Sequence, residues 1–560
     1  MARVALLLDT SAAERRWKYG VDVFEAYASE MLRSAGIPYN AIDSAENLAE
    51  QAYDVVIVAL SDENDLTIGQ LMQYAEQGGT LISSAGLNRM AGKLACRALA
   101  AGDVGYAEIP EYASEPLRFL KSKPWAPLSP EGASSIKSAG KLRQRTREGT
   151  LFAPALLEIA VGSGKVVRWN VDIPYTIVGF QQGTGPVVED GIPAPDGTGA
   201  LDEGLLKADD RCEMDWEHDR KRTETGYPYF AYPYADWWRD AWVSVLMREV
   251  VDKGLTLPFV DYWPDGVERV AMISHDSDGN VDESAIETLA VLRECDVRST
   301  WCMIEPGYSA QVYEQVRDDG HELAFHYNAL PLDKGFWAQA EFERQLAFIR
   351  EKTGVPMLSN KNHYTRVEGW GELFEWCERN GIRSDQTRGP SKKGNVGFLF
   401  GTCRPYYPIA RFEDRNRLYN VLEIGFLTQD MEHPSLPDTS VIGPFLETVT
   451  AVSGGVAHFL FHQVHILRQA KVADALREVV RAARERNFSF WTGEQICRWE
   501  EARRTVRILP NERNGFRIEQ APPGTVVWVP LPVNVKPSKE TRVRYGVICE
   551  RQTAATEVGV

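Results

Sequence analysis

The sequence predicts a multidomain α/β protein. It would combine an N-terminal parallel sheet covered on both faces, a distorted (β/α) barrel and a small β-rich C-terminal segment. Three observations predict this. Residues 1–125 alternate strand and helix, a strand-then-helix unit recurs at least seven times over 256–500, and 501–560 holds short strands between Pro and Gly turns. The 560 residues leave room for three or four domains at roughly 150 residues each.

Within 1–125, RVALLLD, YDVVIVAL and TLISSAG read as buried strands. FEAYASEMLRSAG, ended by Gly36, and IGQLMQYAEQGG read as the helices between them. That order argues a parallel sheet between two helical layers. Residues 126–255 form a β-rich, aromatic connecting region. It holds ALLEIAV and KVVRWNVD, a Gly/Pro-rich loop at 182–199, and the run DWEHDRKRTETGYPYFAYPYADWWRD. Such rings either stack on sugar faces or pack an inter-domain joint, and the joint is the plainer expectation. In 256–500 the strands RVAMISHD, RSTWCMI, HELAFHYN, VPMLSNKNHY, IRSDQT, VLEIGF and GVAHFLFH recur with helices such as SAIETLAVLREC, whose Ile286, Leu289 and Leu292 share a face. Barrels of this kind gather their chemistry at the C-terminal ends of the strands. TVRILP, GFRIEQ, TVVWVPLP and TRVRYGVICE are the strands of the last segment.

Composition narrows the function. There are 62 Lys and Arg against 79 Asp and Glu, a net charge of −17, and no basic stripe. That excludes wholesale nucleic-acid binding and fits a neutral or cationic substrate. No apolar run approaches the ~18 residues of a membrane span. MARVALLLDTS is broken at Asp9 and too short for a secretory leader, so a cytoplasmic location is the default expectation. The eight cysteines are scattered without a CxxC pair, which points to reduced core thiols.

The polar residues of the barrel stand at strand ends. They fall in Ser274-His275-Asp276-Ser277-Asp278-Gly279, in His321 to Asn328, in Asn360-Lys361-Asn362-His363-Tyr364, in Ser384-Asp385, and at His458, His462 and His465. Each alone is an ordinary polar residue, but recurrence at successive strand ends marks a site. Two carboxylates two residues apart, with histidines from neighbouring strands, suit a divalent ion, and Zn²⁺ is the ion these ligand types favour. Such an ion acidifies water and polarises a carbonyl. A second carboxylate can take the water's proton and a histidine can protonate the leaving group.

These motifs resemble the polysaccharide deacetylase homology domain, carbohydrate esterase family 4. His275-Asp276-Ser277-Asp278-Gly279 is similar to its first motif, Gly320-His321-Glu322 through His326 to its second, and Phe459-Leu-Phe-His462 to its late motif. The resemblance implies that Asp276 is the catalytic base, Asp278 and His326 metal ligands, His462 the acid and His321 structural. It departs at Leu330, where the family has its second metal histidine. Either His363 completes the site or the metal is lost. The chain also resembles a deacetylase-like branch carrying His363-Tyr-x-Arg366 and Gly401-Thr-Cys-Arg-Pro-Tyr406. Lys361, Arg366 or Arg388 would replace the family's base-positioning arginine. Tyr327 would contact the oxyanion, Arg366 the substrate, and Asp385 a substrate hydroxyl or His462. His465 would support the site from outside it, and His458 would belong to the core. The implied activity is metal-dependent de-N-acetylation of an N-acetylated carbohydrate. The alternatives are a carbohydrate-binding scaffold without catalysis and a metal-free C–N amidohydrolase. The N-terminal segment resembles the class I glutamine-amidotransferase-like fold, with its flavodoxin-like sheet. Its turn Leu81-Ile-Ser-Ser-Ala-Gly86 lacks the nucleophilic Cys, which implies a structural or ligand-binding domain.

Overall fold

A computed structural model describes residues 1–49, 51–128, 136–198, 204–392, 394–511, 515–532 and 541–553. The architecture is mixed α/β. The three N-terminal strands form at Val4–Leu8, Val55–Leu60 and Thr80–Ser84. They pair in parallel, with Asn40–Ile42 outside Val4–Leu8. Near-continuous Val, Leu and Ile runs suit strands covered on both faces. Asp9 accepts a hydrogen bond from the Ala12 N–H and caps helix Thr10–Lys18. Asn64 accepts from the Thr67 N–H and caps Asp65–Glu76. The same sheet continues past residue 125. Gly164–Trp169 adds in parallel to Thr80–Ser84, and Leu156–Val161 and Ile136–Ala139 follow antiparallel. Gly162 turns that hairpin at φ 56°, where a Cβ would stand 2.6 Å from the Glu76 carbonyl oxygen.

The aromatic run 215–240 packs inward. It leads into helix Tyr234–Asp252, whose Trp238 is fully buried and donates its indole N–H to the Arg118 carbonyl at 2.7 Å. Trp169 meets Trp238 edge to face at 6.0 Å, and Tyr229 meets Phe445 of the barrel at 5.7 Å. The rings thus join the N-terminal sheet to the barrel.

The barrel sheet has nine strands in parallel register. Across it run Leu422–Glu423, Ser384–Asp385, Ser359–Asn362, Glu322–Tyr327, Thr300–Met303, Arg269–Asp276, Val456–Leu460 and Thr428–Gln429, and Phe488–Phe490 also pairs with Arg269–Asp276. The two edge strands, Leu422–Glu423 and Thr428–Gln429, are separated in the chain only by residues 424–427. At about 3.5 Å per residue so short a link holds the edges close, so the sheet must curl into an open barrel. Strand Val526–Pro530 of the C-terminal segment pairs antiparallel with Phe259–Val260, just before the first barrel strand. Among the described residues no helix is long and apolar enough to cross a membrane.

An ion cluster ties helix Gly493–Arg504 to helix Ala28–Ser34. Arg504 bridges the Glu30 and Glu500 carboxylates, and Arg503 also pairs with Glu500 at 2.9 Å. Burial would raise the Glu500 pKa, but Arg503 and Arg504 outweigh it and hold the group at about 2. A carboxyl depressed on folding stabilises the protein above its unfolded pKa, and that stability is lost as pH falls toward the folded value. Stability should therefore decline between about pH 4.5 and 2, and acid titration of Glu500→Gln, followed by circular dichroism, should show a flatter limb.

Candidate active site and metal centre

Strand Arg269–Asp276 runs into the middle of the sheet and ends on the first site residue. Period-two alternation sends Ser274 and Asp276 to one side and His275 to the other. Lys361, on strand Ser359–Asn362, reaches across the barrel to both. Its Nζ donates to Ser274 Oγ at 2.6 Å and stands 3.2 Å from Asp276 Oδ1. Ser274 in turn contacts His458 Nε2 at 2.8 Å, and His458 Nδ1 lies 3.1 Å from the Ile424 carbonyl. Burial pushes the His458 pKa down to about 3, so the ring is neutral. Its Nδ1–H then donates to that carbonyl and its Nε2 accepts from Ser274. Of Lys361, Arg366 and Arg388, it is Lys361 that meets Asp276.

Burial would raise the Asp276 pKa, but Lys361, His326 and His462 outweigh it and hold the carboxyl below its usual range. Its Oδ2 faces His326 Nε2 at 3.7 Å and His462 Nε2 at 3.9 Å. Asp276 is thus an ionised carboxylate with one oxygen against an ammonium and the other turned to the histidines.

Asp278 lies two residues on, in the loop after the strand. Its carboxylate is 3.1 Å from His363 Nε2, 3.5 Å from His326 Nε2 and 3.6 Å from His462 Nε2. Burial would raise its pKa, but His326, His363 and His462 hold it well below the usual carboxylate range. Asp278, His326 and His363 offer ligand atoms that all lie within 4.8 Å of one another. Two ligands of one tetrahedral Zn²⁺ stand about 3.4 Å apart at the usual bond lengths, close to these separations. The His326 ring is prepared for such a role. Its Nδ1 lies 2.9 Å from the Lys361 carbonyl oxygen and donates to it, which leaves a lone pair on Nε2. That buried Nε2 and Asp278 Oδ1 have no hydrogen-bond partner among the described residues. Orphaned buried nitrogen and oxygen aimed at one point fit a divalent ion. Leu330 is buried at the start of the short turn Pro331–Asp333 and carries no ligand atom.

On the other side stands His462, at the end of strand Val456–Leu460. Its backbone N–H donates to Asp430 Oδ1 at 2.7 Å and its Nδ1 donates to Asp430 Oδ2. Burial would lower the His462 pKa, but Asp430, Asp278 and Asp276 outweigh it and lift it to about 10. The imidazolium turns Nε2 toward both aspartates.

Three expected substrate contacts lie elsewhere. Tyr327 alternates with His326 and so points outward. It is fully buried against Phe342 and Trp376, and its hydroxyl donates to the Phe336 carbonyl at 2.6 Å. Arg366 donates to the Ala329 carbonyl and the Glu368 carboxylate. Asp385 is buried inside the barrel, where it accepts from Asn360 Nδ2 at 2.6 Å and from the Thr387 N–H at 3.0 Å. Asp430, not Asp385, orients His462. The sequence reading passed over Asp430, although Thr428-Gln429-Asp430 repeats the pattern of a short strand ending on an acid. Tyr364, named among the strand-end residues but given no role, is 53% exposed beside the His363 ring. Tyr364 and Thr365 take φ of 56° and 49°, a left-handed pair rare outside Gly and Asn.

No protein-family model and no curated protein matches the chain. Among solved structures, a candidate polysaccharide deacetylase from Mycobacterium smegmatis is similar at 14% identity and a TM-score of 0.32, over 49% of this chain and 96% of that one. A second, from Bordetella bronchiseptica and described as involved in O-antigen biosynthesis, is similar at 16% identity and 0.28, over 40% and 94%. A GH42 β-galactosidase from G. stearothermophilus is similar at 12% identity and 0.23, over 30% of this chain. The chain spans 27% of that enzyme's length. Likeness at this level is partial, and the geometry above carries the functional reading.

Removing Lys361 would leave Asp276 buried with only the more distant His326 and His462, at 3.7 and 3.9 Å, to offset its charge. Lys361→Met should cost about 3–5 kcal/mol in urea unfolding. The double variant with Asp276→Asn should recover part of that loss, because the stranded charge is gone.

Proposed function

We propose that this protein is a metal-dependent hydrolase that removes an acyl group, acetyl first, from the nitrogen of an N-acylated amino sugar. The observation that carries the proposal is the division of labour around one point. One aspartate is paired to a lysine, a second stands among two histidines with orphaned ligand atoms, and a third histidine is held protonated by its own aspartate. Asp278, His326 and His363 would hold the ion, with zinc the best match to their donor atoms. When bound, the ion supplies a Lewis acid and a water of lowered pKa.

The remaining chemistry belongs to the chain. Water adds to the amide carbonyl while Asp276 takes its proton through Oδ2, the oxygen not engaged by Lys361. Lys361 keeps Asp276 ionised before that transfer. As the C–N bond breaks, His462 Nε2–H gives its proton to the departing amine, and Asp430 bears the histidine's charge until then. The products are a free amine and a carboxylate, so protons balance over the cycle once Asp276 returns its proton to His462 through solvent. The Tyr364 ring beside His363 carries the Lys207 ammonium over it at 5.0 Å from the centroid and, 53% exposed, would offer its solvent side to a pyranose ring.

The test is zinc content together with hydrolysis of N-acetylglucosamine oligomers. Wild type should retain near-stoichiometric zinc after dialysis, and His326→Ala and His363→Ala should lose it. Asp276→Asn and His462→Gln should keep the metal but lose about 10²–10⁴-fold in kcat. A wild type that takes up no divalent ion on reconstitution would sink the proposal. Tyr364→Ala should raise KM about tenfold, roughly 1.4 kcal/mol of ring contact, and leave kcat near wild type.

A further inference from the structure

A second group of ligand atoms stands behind His462, on the side away from Asp276 and Asp278. Asp430, His462 and His465 bring a carboxylate oxygen and ring nitrogens within 4.8 Å of one another. His462 Nδ1 hydrogen bonds to Asp430 Oδ2, and His465 Nδ1 lies 3.0 Å from that same oxygen. The His465 nitrogen is buried, yet it makes no aligned hydrogen bond among the described residues. His433 stacks on the His465 ring at 4.5 Å, with planes 29° apart. Two histidines thus converge on one oxygen that only one of them needs for orientation. Catalysis as proposed above uses His462 and Asp430 and leaves His465 and His433 without a task.

We propose that Asp430, His462 and His465, with His433 beside them, form a second and weaker divalent-cation site whose filling switches off the acid. Carboxylate and imidazole donors suit Zn²⁺ and similar borderline ions. Binding replaces the proton on His462 Nδ1. That proton leaves to solvent, the nitrogen lone pair turns to the ion, and the Asp430 oxygen follows it. His462 then loses the Asp430 hydrogen bond that aims its Nε2 at Asp276 and Asp278 and supports it as a donor, and it has little to give a leaving amine. The first site would fill at low zinc, since His326 Nε2 and Asp278 Oδ1 have no partner among the described residues and only the 3.1 Å contact of His363 Nε2 with Asp278 Oδ2 must give way. The second must break the His462–Asp430 hydrogen bond and so fills only at higher zinc. The enzyme would then be active with one ion and silenced with two.

Inhibition rests on the hydrolase reading above, whereas ion binding does not. The experiment therefore has two readouts. Equilibrium dialysis of the full chain against zinc should give two ions per wild-type chain at high concentration, and one each for His465→Gln and His326→Ala. His465→Asn serves if the glutamine variant does not fold. Equal zinc stoichiometry in wild type and the folded His465 variant would overturn the site. In the second readout, excess zinc should lower wild-type hydrolysis at least tenfold and that of His465→Gln less than twofold. Equal inhibition of both would overturn the switch. If no N-acyl sugar is hydrolysed by any form, the hydrolase reading fails while the ion count still decides the site.

Discussion

Everything in the barrel depends on placing an ionised carboxylate where water is scarce. Asp276 is 4% exposed and Lys361 is fully buried. An isolated charge there would cost several kcal/mol, and pairing is what makes it tolerable. The pairing also fixes geometry. Lys361 is held by Ser274 as well as Asp276, and Ser274 by His458, whose Nδ1–H is tied to the Ile424 carbonyl. The lysine, the serine and the second histidine come from three separate strands. A slip of one residue in any of them would turn its side chain to the other face and strand a charge. The ion pair therefore specifies register as much as it serves chemistry.

The two aspartates show how neighbours divide identical side chains. Asp276 ends the strand, with Oδ1 3.2 Å from the Lys361 ammonium and Oδ2 turned to His326 and His462. Asp278 lies beyond the strand, among three imidazoles, with an oxygen left bare. The residues between and before them serve the frame. His275 meets the Phe461 carbonyl at 3.0 Å, and Ser277 Oγ accepts from the Ile304 N–H at 3.0 Å. Spacing of two along the chain gives a shared side, and the different partners give different tasks.

Much of this was legible in the sequence, and the failures have physical causes. Asp276, Asp278, His326, His363 and His462 could be found because each ends a strand or follows one. A barrel turns strand ends into a common location. Tyr327 was misjudged by parity. It neighbours His326 in the chain, so on a strand it must face the opposite way, and here it packs against Phe342 and Trp376. Asp385 was misplaced by topology. Its strand pairs Asn360 with Asp385, and its carboxylate accepts from Asn360 and the Thr387 N–H rather than from His462. The true partner, Asp430, follows the two-residue strand Thr428–Gln429, too short for an alternation pattern. That strand pairs with Val456–Leu460, so the contact depends on a pairing between segments distant in the chain.

His363 bears on why Leu330 need not deprive the proposed metal centre of a third ligand. A histidine four residues after His326 would sit in the turn that follows the strand. His363 instead stands at the end of the adjacent strand, whose residues Lys361 and Asn362 pair with His326 and Tyr327. Adjacent strands lie about 4.8 Å apart, so sheet spacing itself brings the two rings into range. The rings are in fact 5.3 Å apart between centroids. Of the three proposed ligands, His326 lies within its strand, His363 directly follows one and Asp278 stands two residues past another, so the frame of hydrogen-bonded strands positions them closely. The segment after His326 is released from ligand duty, and the Gln345 side chain ties its backbone, accepting from the Asn328 N–H at 3.0 Å and donating to the Asn328 carbonyl at 2.7 Å. This arrangement carries local backbone strain. It sits in the left-handed Tyr364 and Thr365, where the chain must turn sharply to leave His363 facing Asp278 and an aromatic ring facing solvent. Backbone strain of this kind costs about 1–3 kcal/mol per residue and persists where surrounding contacts over-determine it.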